Sequence, residues 1–164
     1  MAATYTTDNG EITAIVAELI ANHCVDLRRA DVTFDVLLAA SPDPDKNPPV
    51  KEFGLRTYAV AKVMKLADRV AGSRDVRIIV DQERFDAANP ARKRAILHGQ
   101  LARLRVVFDA NGPATDDAMR PKIRLSKLDY ATGGMIEIAE RYGPDAPEYA
   151  VYQALGLDQR QEAA

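Results

Sequence analysis

Asn89-Pro-Ala-Arg-Lys-Arg-Ala-Ile-Leu-His-Gly-Gln-Leu-Ala-Arg-Leu-Arg-Val106 is the stretch around which the chain is organised. Asn89 is a good N-cap, because its side chain accepts an orphan backbone N–H, and Pro90 suits the first helical position, where an N–H has no partner. Ala91, Ala95, Leu97, Leu101 and Leu104 then form an apolar stripe at helical spacing, with Arg92, Lys93, Arg94 and Arg105 left to face water. The spacing predicts a helix from about Pro90 to Leu104. Gly99 stands in its middle, where it costs about 1 kcal/mol relative to Ala, so a small residue there calls for a reason.

Working outward, the chain before this helix reads as one helix and two or three strands. Asp8 and Glu11 resemble a capping box, and Ile12, Ile15, Val16, Leu19, Ile20, His23 and Leu27 share a face of a helix ending near Arg28-Arg29. The segment 1–7 is expected to be loose. Val32 to Ala39 is β-rich, Leu55 to Val63 is a second strand with a helix through Val70 competing, and Val76 to Val80 is the most strand-like run. Between them, the four prolines of Ser41 to Pro49 dictate a loop, without the ligand spacing of a calcium site. A short helix over Leu66 to Ala71 is stopped by Gly72.

After the central helix, Asp109-Ala-Asn-Gly112 supplies a turn, and Pro121 to Leu125 the return arm of a hairpin. A last long helix is expected from about Tyr130 to Tyr142, a short one within Pro147 to Leu157, and a polar tail at 158–164. The order of elements predicts an α+β domain, with a small mixed or antiparallel sheet packed on a central helix and flanked by others.

Composition agrees. With 164 residues, 47% hydrophobic and 28% charged, the chain has material for one sizeable core, so 1–164 is read as a single domain. A net charge of −2 gives no global attraction to phosphate backbones, and no apolar span or leader is evident; neither nucleic acid nor membrane is implied. The lone Cys24 fits a reducing, cytoplasmic setting.

The flanks of the helix carry a resemblance. Ala95-Ile-Leu-His-Gly-Gln-Leu-Ala-Arg-Leu-Arg-Val106, Asp75-Val-Arg-Ile-Ile-Val-Asp-Gln-Glu-Arg-Phe-Asp86, Asp109-Ala-Asn-Gly112 and Arg120-Pro-Lys-Ile-Arg-Leu-Ser-Lys-Leu-Asp-Tyr130 follow in order. Together they are similar to the phage metallopeptidases, small zincin-like proteins whose central helix reads Ala-Leu-Leu-Asp-His-Glu-Leu-x-His-Leu-x-Val and which later carry Arg-Pro-Lys-x-x-Leu-x-Lys-His-Asp-Tyr. The resemblance, spanning roughly Ile12 to Tyr142, implies a zincin-like fold. It places the two helical zinc histidines on Gly99 and Arg103, the general-base glutamate on Gln100 and the third histidine on Leu128, so none of the four functional side chains is kept. Two imidazoles at i and i+4 grip one ion from one helix face, but glycine has no donor and arginine repels a cation. Starting from His98 instead still lacks the glutamate and the second histidine.

The expectation is therefore a degenerate site at Gly99, Gln100, Arg103, Leu128 and Asp129, with no catalytic residue, no metal and no cofactor. Arg103 is expected near the vacated metal position, held by carboxylate or carbonyl partners or else swung out to water, with Asp129 the nearest acidic candidate in sequence. The function expected is a protein-binding or regulatory module, phage or prophage encoded. A virion structural or assembly component and a hydrolase with an unrecognised site are the open alternatives, and a homo-oligomer is open too. Other constellations weigh less. His23 beside Cys24 is read as a hydrogen-bonded core histidine, because adjacent helical residues diverge. Arg92-Lys-Arg94 is read as a solvated face, and Ser126-Lys127 is set aside as a dyad because neighbours on an extended segment point oppositely.

Overall fold

The structure, a computed structural model, describes residues 3–129 and 134–158. In chain order it has strand β1 (Thr4–Thr7), helices α1 (Glu11–His23) and α2 (Val25–Arg29), and strands β2 (Phe34–Ala40), β3 (Lys51–Glu52), β4 (Leu55–Arg56) and β5 (Ala59–Val63). Helix α3 (Leu66–Val70), strand β6 (Val76–Asp81) and helices α4 (Gln82–Asp86) and α5 (Pro90–Ala102) follow. Then come strands β7 (Leu104–Val106), β8 (Phe108–Asp109), β9 (Gly112–Pro113) and β10 (Ile123–Leu125), and helices α6 (Ile136–Tyr142) and α7 (Tyr149–Ala154). The fold is α+β.

The main sheet is mixed, in the order β1-β2-β6-β5: β2 and β6 are parallel, and the outer strands run antiparallel to their neighbours. Val76, Ile78 and Val80 of β6 are fully buried and meet Ile12, Val16 and Leu19 of α1 and Ile96, Leu97 and Leu101 of α5. On the other face Ile79 packs with Ala39 and with Val50 from the proline-rich loop. Both faces of β6 are thus covered, as its nearly unbroken apolar run requires. A second apolar cluster joins Ala95 and Ala102 of α5 to Met135, Ile138 and Ala146. Helix α5 is therefore wedged between the sheet and the C-terminal segment, which is why residues 95–99 are buried in succession rather than along one stripe.

Several expectations hold. Asn89 caps α5 by accepting the Arg92 N–H at 2.7 Å, Pro90 opens the helix, and β7 pairs with β10 in the expected hairpin, inside which β8 and β9 make a smaller one. Others are corrected. Residues 4–7, expected loose, form β1, because Thr6 and Thr7 find partners in Leu38 and Leu37. The first helix breaks at Cys24 (φ −112°, ψ 68°), and its start is organised by Asp8, whose carboxylate accepts the Thr13 N–H at 2.8 Å and the Thr13 hydroxyl at 2.7 Å. Helix α5 ends at Ala102, since Leu104 joins a strand. Helix α6 starts at Ile136, with part of the expected span, 130–133, lying outside the described residues, as does 159–164 of the expected tail.

The basic run at the start of α5 is not a solvated face. Arg92 donates to the Tyr58 hydroxyl at 2.9 Å and lies over its ring, Lys93 lies over Phe85, and Arg94 pairs with Glu18 at 2.7 Å. These cations tie α5 to the segment before β5, to α4 and to α1, which periodicity along one helix does not reveal.

Candidate functional site

A cleft of about 320 Å³ opens between β5, the β3–β4 hairpin, α5 and the C-terminal segment. Gly99, Gln100, Arg103 and Leu128 all line it. Four of the five degenerate-site positions are thus brought together, although β-hairpin residues and nearly thirty positions of sequence separate Leu128 from the helix. Asp129 is not among the lining residues. Its carboxylate accepts the Ile136 N–H at 2.8 Å and so helps to start α6.

Arg103 therefore does not pair with Asp129. Its guanidinium grips Glu52 of β3 through two contacts, Nη2 to Oε1 at 2.8 Å and Nη1 to Oε2 at 3.0 Å. Arg103 is only 4% exposed, so an unpaired charge there is excluded by its desolvation cost, and a fork-to-fork pair is the geometry that satisfies it. Glu52 was invisible from the helix register because it lies on a two-residue strand, between the proline-rich loop and Leu55, to which the sequence pattern assigns no element. The other cations of the cleft wall are engaged as well: Arg56 binds buried Asp81 at 2.6 Å and Glu83 at 2.7 Å.

Gln100, at the position that the resemblance aligns with a general base, performs a backbone task. Its Oε1 accepts the Ala61 N–H at 2.9 Å. Asp81 N–H donates to Tyr58 C=O and Met64 N–H to Asp75 C=O, so the even-numbered residues of β5 hold the narrow pairs with β6. The odd-numbered residues turn their N–H and C=O groups to the outer edge of the sheet, where Ala59 and Ala61 are buried. There, Val50 C=O takes the Thr57 N–H, and Gln100 takes that of Ala61. Between them Ala59 lines the cleft but is only 1% exposed.

Gly99 forms the floor. A Cβ placed on it would meet, outside its own helix, only Glu148 Oε1, at 3.9 Å, so packing does not demand the glycine. Glu148 also accepts the Met135 N–H at 3.2 Å. Burial pushes its carboxyl above the ordinary value of 4.5, a rise only partly offset by hydrogen bonds from its own N–H and that of Met135. At the rim, the β3–β4 hairpin turns through Phe53 (φ 51°) and Gly54 (φ 81°). A phenylalanine in the left-handed region is strained, and this one is 79% exposed. Beside it Leu55 is 71% exposed. The Phe53-Gly54 dipeptide is a two-residue turn signal that the sequence offered and that a strand reading from Leu55 onward passed over.

The other face of α5 carries the histidines. His98 is buried, its Nδ1 lies 3.0 Å from the Tyr142 hydroxyl, and its ring stacks on His23 at 5.1 Å. His23 itself is exposed at the end of α1, not a core residue as expected, because α1 runs past the edge of the core by its last turn. Burial raises the Cys24 thiol to about 11, with Glu137 adding to the rise and Arg141 opposing it, so the thiolate is scarce at neutral pH. Among the described residues no group of three or more His, Cys, Asp or Glu is placed to hold a metal ion. Ser126 Oγ is buried without a partner among the described residues, and Lys127 is exposed.

No family model, curated protein or solved structure matches the chain.

Proposed function

We propose that this protein is a metal-free relative of the phage metallopeptidases, zincin-like in fold, which binds an extended segment of a partner protein in the cleft and does not cleave it. The observation that carries the reading is the cleft itself, floored by the side-chain-less Gly99 and walled by β5, the β3–β4 hairpin and the C-terminal segment. An extended chain laid along such a cleft sends its alternate side chains into it. The amide NH2 of Gln100, free of partners among the described residues, offers a further donor, and the exposed Phe53 and Leu55 offer apolar contacts at the rim.

Several observations favour binding over hydrolysis. No serine, cysteine or histidine among the described residues lines the cleft, and Arg103 and Gln100 are spent on Glu52 and Ala61. A cytoplasmic site of action, in a host cell if the chain is phage encoded, is part of the proposal; among the described residues no helix is long and apolar enough to cross a membrane. Selection from a random decapeptide library, repeated on Gly99→Leu, tests the reading. Peptides that shift the Gly99 and Gln100 amides of the parent and lose binding to a folded Gly99→Leu variant are expected. Cleavage of the selected peptides by zinc-loaded protein, or peptide binding indifferent to Gly99→Leu, overturns it.

A further inference from the structure

The cleft is not electrically neutral. Arg103 is neutralised by Glu52, and Arg56 by Asp81 and Glu83, while Arg92 is committed to Tyr58. Glu148 alone among the lining acids has no cation beside it within the described residues. Its carboxylate is held only by backbone N–H groups, its own and that of Met135, and stands 3.9 Å from where a side chain on Gly99 would begin. A carboxylate in that position, over a floor emptied of its Cβ, is a half-made ion pair.

We infer that the segment received by the cleft presents a basic side chain, lysine or arginine, over Gly99, where its cation meets the Glu148 carboxylate. The inference rests on the extended-segment reading and names the chemistry that the partner must carry. Geometry supports it. A side chain directed at Gly99 enters a cleft of about 320 Å³, within the usual range of ligand pockets, about 300–1,000 Å³. The paired cations on the walls give an acidic residue no free charge to meet, and a neutral one leaves Glu148 desolvated and uncompensated.

The test uses isotope-labelled full-length protein titrated with acetyl-Val-Ala-Lys-Ala-Val-amide, its arginine counterpart and its norleucine counterpart, read from amide shifts. The basic peptides are expected to shift the Ala59, Gly99 and Met135 amides and to bind at least about tenfold more tightly than the norleucine peptide. Glu148→Gln, which keeps an oxygen for the Met135 N–H, is expected to remove that preference and leave the fold intact. Equal binding of the basic and norleucine peptides at Ala59, or a lysine preference that survives Glu148→Gln, overturns the inference while leaving the extended-segment reading standing. If none of the peptides shifts Ala59 or Gly99 at millimolar concentration, the extended-segment reading falls and the inference falls with it.

Discussion

At Gly99 a helix interior gives up roughly 1 kcal/mol of propensity, and no neighbour crowds the missing methyl group. Gly99→Ala should accordingly raise stability by about 0.5–1 kcal/mol, read as a shift of the urea midpoint, while narrowing the cleft. A loss of stability would show that something presses on the glycine. Arg103→Ala should behave oppositely, costing about 3 kcal/mol because it strands a partly buried Glu52. The double variant Arg103→Met with Glu52→Leu should recover most of that loss, and a double variant no better than Arg103→Ala would refute the pairing. Which residues face the cleft was legible in the sequence for Gly99, Gln100, Arg103 and Leu128, through helical spacing and the register of the resemblance. The partner of Arg103 and the carboxylate of Glu148 were not, since the first lies 51 residues away and the second on a segment whose fold-back no local period encodes.

At the scale of elements, the β3–β4 hairpin spends stability on an exposed aromatic at its tip. Phe53→Asn, which tolerates the left-handed conformation, should stabilise by about 1 kcal/mol and weaken peptide binding at the rim. Unchanged binding together with the gain in stability would show the ring to be idle. The longer elements were legible because they are amphipathic or strongly β-prone: α5, β2 and β6 lie within two residues of their expected bounds, and α1 begins as expected but breaks at Cys24. Short ones were not. β1 is a run of threonines with one tyrosine that only pairing with β2 makes a strand, and α4 exists because the Asp81 carboxylate accepts the Arg84 N–H while also binding Arg56.

For the molecule as a whole, His98 couples stability to acidity. Burial lowers its pKa to about 4 from 6.5, and repulsion from Arg141 and His23 works in the same direction. The folded state therefore holds fewer protons than the unfolded chain between those values, so stability rises with pH across that window and is lost as pH falls from 6.5 toward 4, by about 3 kcal/mol at most. Glu148, with its carboxyl raised, works the other way as pH climbs above 4.5. The comparison to make is thus between the parent and His98→Asn, whose amide keeps a partner for the Tyr142 hydroxyl; their pH profiles should run parallel above pH 6.5, and below it the parent should lose stability that the variant keeps. Profiles parallel below pH 6.5 as well would remove His98 from the account. The parallel alignment of β2 with β6 has a further consequence, in time. The Thr33 to Asp75 bonds at its start close a loop of 42 residues, and the β1 contact from Thr4 to Ala40 closes one of 36. Closure entropy of that kind is incurred before burial rewards it, so the transition state for folding must assemble distant strands, and refolding after dilution from denaturant belongs in the range of milliseconds to seconds, not the microseconds of a helical bundle.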